Sequence, residues 1–514
     1  MQITQSPELF HLVLSYLTLE DRVECMQVCK SWNATCKTSL CLYESLYIYY
    51  PDQFLEMFTY FSKNKGMGEK VRHLSISDCN LTVDQYLRLP FLFPHLKAFH
   101  LVENMDPLKL KFWKSQKAKK QFERWKNTIV DLREVGAPLA TLALLNNFRC
   151  EKLQSVDVDF SGEASELDRI KLAGVMCNAP NLTDLKLQNT CIYVSHLEQM
   201  LNASPKLKVL ACREVRFISE EMRQYGVCTE PDPLGPKYQI EPSLLETLVI
   251  TGGHIEGLAT PWLKYFTKKI PHIKNLVWNF MENNHYERFY EKYERWLIQF
   301  VTQCRQLEFY RVYAFQLTAK ILQAMYDAGI RLKKIDLELV YQMKAINLVL
   351  KSKQIDCIES LGTMGCSYNS LAYEFKDTAN PDHILEEIGK HSNIKHLRII
   401  QSQEEVDSPE RNKFPFDVVL NDMKQLETLK MDFVCLSLDY DSDEPVDCSL
   451  TKVHVVEGYF EAARFKEEEE NKIDHSRSFE YVQEILPKTE LIMEELNMLI
   501  EEDPYIDLIK KREY

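Results

Sequence analysis

One short pattern recurs from Val71 onward: apolar, two residues, apolar, one residue, apolar. The instances are VRHLSI at Val71, LKAFHL at Leu96, LQSVDV at Leu153, LTDLKL at Leu182, LKVLAC at Leu207 and LETLVI at Leu245. They continue as IKNLVW at Ile273, LEFYRV at Leu307, LKKIDL at Leu332, IESLGT at Ile358, IKHLRI at Ile394, LETLKM at Leu426 and LTKVHV at Leu450. A weaker copy, NTIVDL from Asn127, fills the long gap between Leu96 and Leu153. The fourteen starts step by about 29 residues. Each phrase alternates like a strand, so its fourth and sixth residues face a core and its third, fifth and seventh face away. The intervening stretches read as helices. Residues 190–201 bring Ile192, His196, Leu197 and Leu201 near one face, and residues 285–300 stripe Tyr286, Phe289, Tyr290, Tyr293, Trp296, Leu297 and Phe300. Residues 318–329 and 343–351 repeat this more weakly.

Ahead of the repeats the period is helical. Ser6 is a good N-cap and Pro7 a good first helical residue. Leu9, Leu12, Val13, Tyr16 and Leu17 then form one stripe, and Thr18 with Asp21 restarts the pattern as a capping-box-like pair. Val23, Met26, Cys29 and Trp32 continue on a second helix. This unit is too small to bury a sufficient core by itself, so it needs a partner or a neighbouring domain.

Strand then helix, at a step in the twenties to thirties, resembles leucine-rich repeats of a degenerate, long-repeat type. Each repeat leaves an apolar face that only stacking can cover. The position where that family prefers Asn or Cys holds Cys79, Asn104, Thr190, Val215, Gly253 and Cys366, so the asparagine ladder is mostly missing. The N-terminal stretch resembles an F-box, through Glu8-Leu9, Ser15-Tyr16-Leu17, Asp21, Val28-Cys29-Lys30, Trp32 and Leu42-Tyr43-Glu44-Ser45-Leu46. The family's opening Leu-Pro is Gln5-Ser6 here, its late Leu-Trp is Leu42-Tyr43, and a usually apolar position is Arg22. The resemblance implies an α/β chain with a helical F-box followed by a curved solenoid, strands inside and helices outside. It implies docking to the Skp-type adaptor, and through it a cullin, of an SCF-type ubiquitin ligase. The face implied for the adaptor carries Glu8, Leu9, Leu12, Val13, Leu17, Val28, Cys29 and Trp32. The organisation read from the chain is F-box 1–50, linker helix and loop 51–70, repeats 71–458, and an acidic tail with a capping segment 459–514.

Composition narrows the function classes. The 514 residues are 45% hydrophobic and 27% charged, ordinary for a globular chain but too long for one compact core. A net charge of −14 disfavours non-specific nucleic-acid binding. The start MQITQSPELF lacks a basic region followed by an apolar core, and no run approaches a membrane span. The expected setting is therefore cytoplasmic or nuclear, with the fifteen cysteines as reduced thiols. Cys25, Cys29, Cys36 and Cys41 are read as buried thiols in preference to a zinc site.

No H-E-x-x-H, G-x-S-x-G, protein-kinase set or glycine-rich phosphate loop occurs, so neither an enzyme nor a cofactor is expected. Asp157 and Asp159 share a strand face as solvated charge. Residues 109–126 interleave lysines with aromatics, but Leu108, Phe112, Ser115, Ala118, Phe122, Trp125 and Ile129 form a helical stripe with lysines outside. That outer face could hold an acidic or phosphorylated partner. The protein substrate is instead expected on the strands, at Phe309, Arg311, Tyr313 and Arg398, since aromatic and arginine side chains on an exposed face compose binding hot spots. A subunit that recognises a substrate for ubiquitination is the leading reading; a ligase-independent scaffold with the same two surfaces is the alternative.

Overall fold

The computed structural model describes residues 13, 25, 27–33, 44–102, 115–136, 138–160, 172, 174–218, 241–256, 259–280, 286–338, 344–366, 382–401, 413–432, 435–439, 444–465 and 475–494. Two compact units divide the chain, residues 1–273 with 280–296 and residues 274–279 with 297–514.

The first unit is built on a ladder of eight parallel strands. These are β1 (Ser45–Ile48), β2 (His73–Ser77), β3 (Ala98–Val102), β4 (Asp131–Val135), β5 (Ser155–Asp159), β6 (Asp184–Gln188), β8 (Val209–Arg213) and β10 (Thr247–Glu256). Leu74, Phe99, Leu132, Val156, Leu185, Leu210 and Leu248 stand opposite one another in consecutive strands. Each is the fourth residue of its phrase and each is buried. The phrase at β4 therefore starts at Ile129, two residues later than NTIVDL, because Leu132 aligns with Phe99. The expected frame was displaced because a polar residue, Glu134, fills the sixth position.

The second unit repeats the arrangement with β11 (Asn275–Phe280), β12 (Phe309–Tyr313), β13 (Lys334–Glu338), β14 (Ser360–Cys366), β15 (His396–Gln401), β17 (Thr428–Asp432), β19 (Lys452–Val456) and β21 (Glu490–Glu494). Its core row runs Leu276, Tyr310, Ile335, Leu361, Leu397, Leu429, Val453 and Leu491. Consecutive strands all run parallel, which requires a crossover between each pair, and the segments read as helical supply many of them. The ladders reach past the expected repeat span at both ends, since β1 pairs with β2 and β21 pairs with β19. In the C-terminal capping segment a helix, His475–Ile485, precedes that last strand.

The chain turns a corner after several strands. Asp78, Asn189, Glu214, Gly252 and Glu457 each follow an equivalent strand position with φ between 49° and 60°. Beyond these corners short strands add a second row. In the first unit β7 (Cys191–Tyr193) pairs with β9 (Arg216–Ile218), which pairs with the far end of β10. In the second, β16 (Lys413–Pro415), β18 (Cys435–Leu438) and β20 (Tyr459–Ala462) do the same. Residues 191–193 are thus strand, and the helix expected from 190 starts at Val194. The residues after the corner, Cys79, Thr190 and Val215, are buried. Small or apolar side chains fill the place of the missing asparagine ladder.

Helices pack on the core side of the strands. Thr82 caps Val83–Leu92 through a reciprocal box with Gln85: the Gln85 N–H donates to Thr82 Oγ1 at 3.3 Å and the Thr82 N–H to Gln85 Oε1 at 2.8 Å. Ser115 caps Gln116–Phe122, and Ala118, Phe122, Trp125 and Ile129 are buried as their stripe requires, with Lys117, Lys119 and Lys120 exposed. Trp125 lies against Phe99 and Phe122, and its indole N–H donates to the Phe93 carbonyl at 2.8 Å. Segment 51–70 forms the helix Pro51–Lys63 and a short turn at Lys65–Gly68. A Cβ on Gly68 would stand 1.9 Å from the Leu92 carbonyl oxygen. Gly68→Ala must therefore push the backbone of the neighbouring helix aside, and thermal or denaturant unfolding is expected to record a loss of about 1–3 kcal/mol.

The described cysteines are free thiols. Burial pushes Cys150, Cys212 and Cys304 up to about 12, so these three are inert core residues. Cys25 is half-buried and Cys29 exposed, while Cys36 and Cys41 lie outside the described residues.

Candidate functional site

Two surfaces follow from the sequence. Of the N-terminal face, Val13, Val28, Cys29 and Trp32 are described; Glu8, Leu9, Leu12 and Leu17 lie outside the described residues. Val13 and Val28 are helical and 46% and 63% exposed. Cys29 is exposed and Trp32 half-buried, and the Trp32 backbone N–H donates to Cys29 Sγ at 3.4 Å. The end of the F-box-like pattern, Ser45 and Leu46, lies in β1 and already pairs with β2. No linker separates that pattern from the ladder.

The second surface is the strand face opposite the helices. In the first unit it is internally neutralised. Asp157 of β5 is approached by Arg133 Nε at 3.6 Å and Lys186 Nζ at 3.7 Å, and Gln188 donates to it at 3.2 Å. Asn189 donates to Asp159 at 2.7 Å. His100 meets Asp131 at 2.6 Å; burial pushes the Asp131 carboxyl up, but His100 draws it net below its usual range. Asp157 and Asp159 are both buried, so they are structural acceptors within the face and not the solvated charge expected. Since Asp157 retains Lys186 and Gln188, Arg133→Ala is expected to cost less than about 1 kcal/mol, measured by chemical denaturation.

In the second unit the expected aromatic-arginine patch on β12 is not exposed. Phe309, Arg311 and Tyr313 are 5%, 3% and 4% exposed. Cross-strand pairing accounts for this. Arg311 forms an ion pair with Glu338 on β13, and Asn279 on β11 donates to the same carboxylate. Burial pushes the Glu338 carboxyl up, against the pull of Arg311. Tyr313 stacks on Phe315 with centroids 5.3 Å apart, and Lys334 Nζ stands 4.9 Å from the centre of the Phe309 ring. Phe309 and Arg311 tie β12 to β13 and Tyr313 packs on Phe315, so substitutions there report on stability in place of partner contact.

Arg398 stands apart. It is half-buried on β15, opposite Lys430 on β17, which is opposite His454 on β19. Gly362 fills the matching place on β14. Among the described residues neither the Arg398 nor the Lys430 side chain has a hydrogen bond or ion pair, and Arg398 Nε is buried without a partner. The sequence expectation names Arg398 alone on this part of the face. The cue for Lys430 was available in the shared fifth position of successive phrases. No group of three or more histidine, cysteine, aspartate or glutamate side chains is placed to hold a metal among the described residues.

Residues 7–49 match the F-box-like family model. No curated protein matches the chain. Among solved structures, the chain is similar to one from the yeast Rad7–Elc1 complex, at 13% identity and a TM-score of 0.35, with 78% of this chain and 90% of that one covered. It is also similar to the leucine-rich repeat-containing protein LegL7 from Legionella pneumophila, at 13% identity and a TM-score of 0.30, covering 73% and 96%. The Leptospira interrogans LRR protein LIC12759 follows at 14% identity and a TM-score of 0.28, covering 84% and 97%. These likenesses are loose, and the repeat architecture rests on the strand registers of this chain itself.

Proposed function

We propose that this chain, an F-box-like segment joined to a leucine-rich-repeat array, is the substrate-recognition subunit of an SCF-type cullin-RING ubiquitin ligase. The observation that carries the reading is the F-box-like match at 7–49, whose last residues run into the first strand of the ladder. The docking module and the array are continuous in sequence. A partner held on one is therefore tethered close to whatever docks on the other. Proximity is the whole of the chain's contribution: it raises the local concentration of the partner's lysines at the conjugating enzyme and performs no chemistry.

The adaptor face is assigned to Glu8, Leu9, Leu12, Val13, Leu17, Val28, Cys29 and Trp32. The substrate is a protein held by the strand face. The setting is the cytoplasm or nucleus. The test is affinity purification of the intact chain, and of a variant lacking residues 7–40, from cells with the proteasome inhibited. The expected result is adaptor, cullin and a ubiquitin-conjugated partner with the intact chain, and the partner alone with the deletion. Adaptor without cullin, and no conjugates, would overturn the ligase reading in favour of a scaffold.

A further inference from the structure

We propose that the strand face at β15 and β17 is the docking point for an acidic, carboxylate-bearing segment of the partner, with Arg398 and Lys430 as the residues that hold it. The proposal deepens the partner-binding reading above and rests on it.

The argument starts from spacing. Neighbouring parallel strands lie about 4.8 Å apart, and the register sets Arg398 beside Lys430 on one face. His454 continues the row on β19. Like charges directly opposite on a sheet are unfavourable. Two other rows of the face show charges answered within the chain: Asp157 stands between Arg133 and Lys186, and Arg311 is paired with Glu338. At Arg398 and Lys430 no answering charge is paired, because among the described residues neither side chain has an ion pair or hydrogen bond. The chain as a whole carries −14, so a general excess of base does not explain the row.

The neighbours say what the missing group is. Gly362, opposite Arg398 on β14, has no side chain, and the Asp336 carboxylate of β13 occupies the space a Cβ would fill, so an incoming group reaches Arg398 from solvent and not across β14. The nearest acids on the face are Asp336 and Asp432. Asp336 lies beyond Gly362, 3.7 Å from Lys334 Nζ, and Asp432 lies two residues past Lys430 and is buried. Neither forms an ion pair with Arg398 or Lys430. A guanidinium forks the two oxygens of a carboxylate, and the adjacent ammonium can take a second one. A dianionic phosphate would meet more repulsion from Asp336 and Asp432 than a single negative charge does, so the occupant is a carboxylate. One period along the strands the row runs Met364, Ile400, Asp432 and Val456, apolar but for the buried Asp432, and offers Met364 and Ile400 to alternate residues of the same segment.

The test uses the full chain and a fluorescein-labelled peptide in which glutamate alternates with leucine and serine, read by anisotropy. Binding is expected to weaken as salt is raised, and to fall by about tenfold or more in Arg398→Glu/Lys430→Glu. Lys208→Glu, on β8's approach in the first unit, should bind as the parent does. Arg398→Gln/Lys430→Gln repeats the test without introducing negative charge, should the reversal variant not fold. Undiminished binding in either folded double variant overturns the proposal. So does a preference for a peptide carrying phosphoserine in place of glutamate, with the glutamate peptide inert. Adaptor capture measured on the same samples separates the two readings. Capture retained with peptide lost supports this site, and capture lost from folded parent chain counts against the ligase reading alone.

Discussion

Leu17→Ala combined with Trp32→Ala is expected to abolish capture of the Skp-type adaptor while the repeat array stays folded. The F-box-like helices carry more apolar surface on one stripe than a unit of their size can bury internally. Binding energy at such a face concentrates in a few large side chains at its centre. Two of these, at about 2 kcal/mol or more each, amount to roughly a thousandfold or greater loss of affinity. Truncation of a smaller anchor of the same face, Val28→Ala, should cost less than the pair, because it removes fewer apolar atoms from the contact. The measurement is an adaptor titration with the parent, the double variant and the Val28 variant. Thermal unfolding of each shows that the array persists. Undiminished capture by a folded double variant would mean that the adaptor, if it binds, uses another surface.

Glu134→Ala is expected to be the most damaging single change in the first unit, at about 3–5 kcal/mol. Glu134 occupies a core-facing phrase position and is fully buried. Its carboxylate accepts hydrogen bonds from the Tyr86 hydroxyl at 2.6 Å, the Ala140 N–H at 2.9 Å, and the Thr141 N–H and hydroxyl at 2.7 Å each. Ala140 and Thr141 are in the first turn of the helix Leu139–Asn147, whose N-cap is Pro138 and makes no side-chain capping bond. The glutamate supplies the missing cap from a neighbouring strand, and its charge suits the positive end of the helix. Alanine would leave those donors dry and unpaired. Hydrogen exchange of residues 139–147 should then rise before the rest of the unit opens.

The same residue has a pH signature. Burial pushes the Glu134 carboxyl above its usual 4.5, against the pull of its four donors. The folded chain then holds that proton more tightly than the unfolded chain does. Stability attributable to Glu134 should therefore rise as pH falls through the raised value toward 4.5, and be lost as pH climbs back. Glu134→Gln cannot titrate, so the parent's stability relative to this variant should grow on acidification. A difference that is flat or of opposite slope would place the folded carboxyl at or below its usual value.

The repeat array was legible because its information is local. Each phrase states its own alternation, and thirteen of them align by their fourth residue as the strand registers do, from Leu74 to Val453. The F-box-like stretch was legible for the same reason, since residue type and spacing sit within one helical stripe. Where a residue serves a distant partner, the local rule misleads. Glu134 looks like a break in the pattern at β4 until Tyr86, 48 positions earlier, and the following helix are brought to it. Arg311 looks like an exposed contact until Glu338, itself held by Asn279, pairs with it from the adjacent strand, and Tyr313 until Phe315 stacks on it. Conversely, Arg398 and Lys430 gain meaning only as neighbours, 32 residues apart in sequence and side by side in the ladder. The sequence by itself determined the strand of each repeat phrase, its core-facing fourth residue, and that an F-box-like helical stretch precedes the phrases, because side-chain alternation and helical stripes need no long-range knowledge. Only the tertiary structure decided which charges are paired with one another and which are not, because charge pairing depends on which strands the register sets side by side.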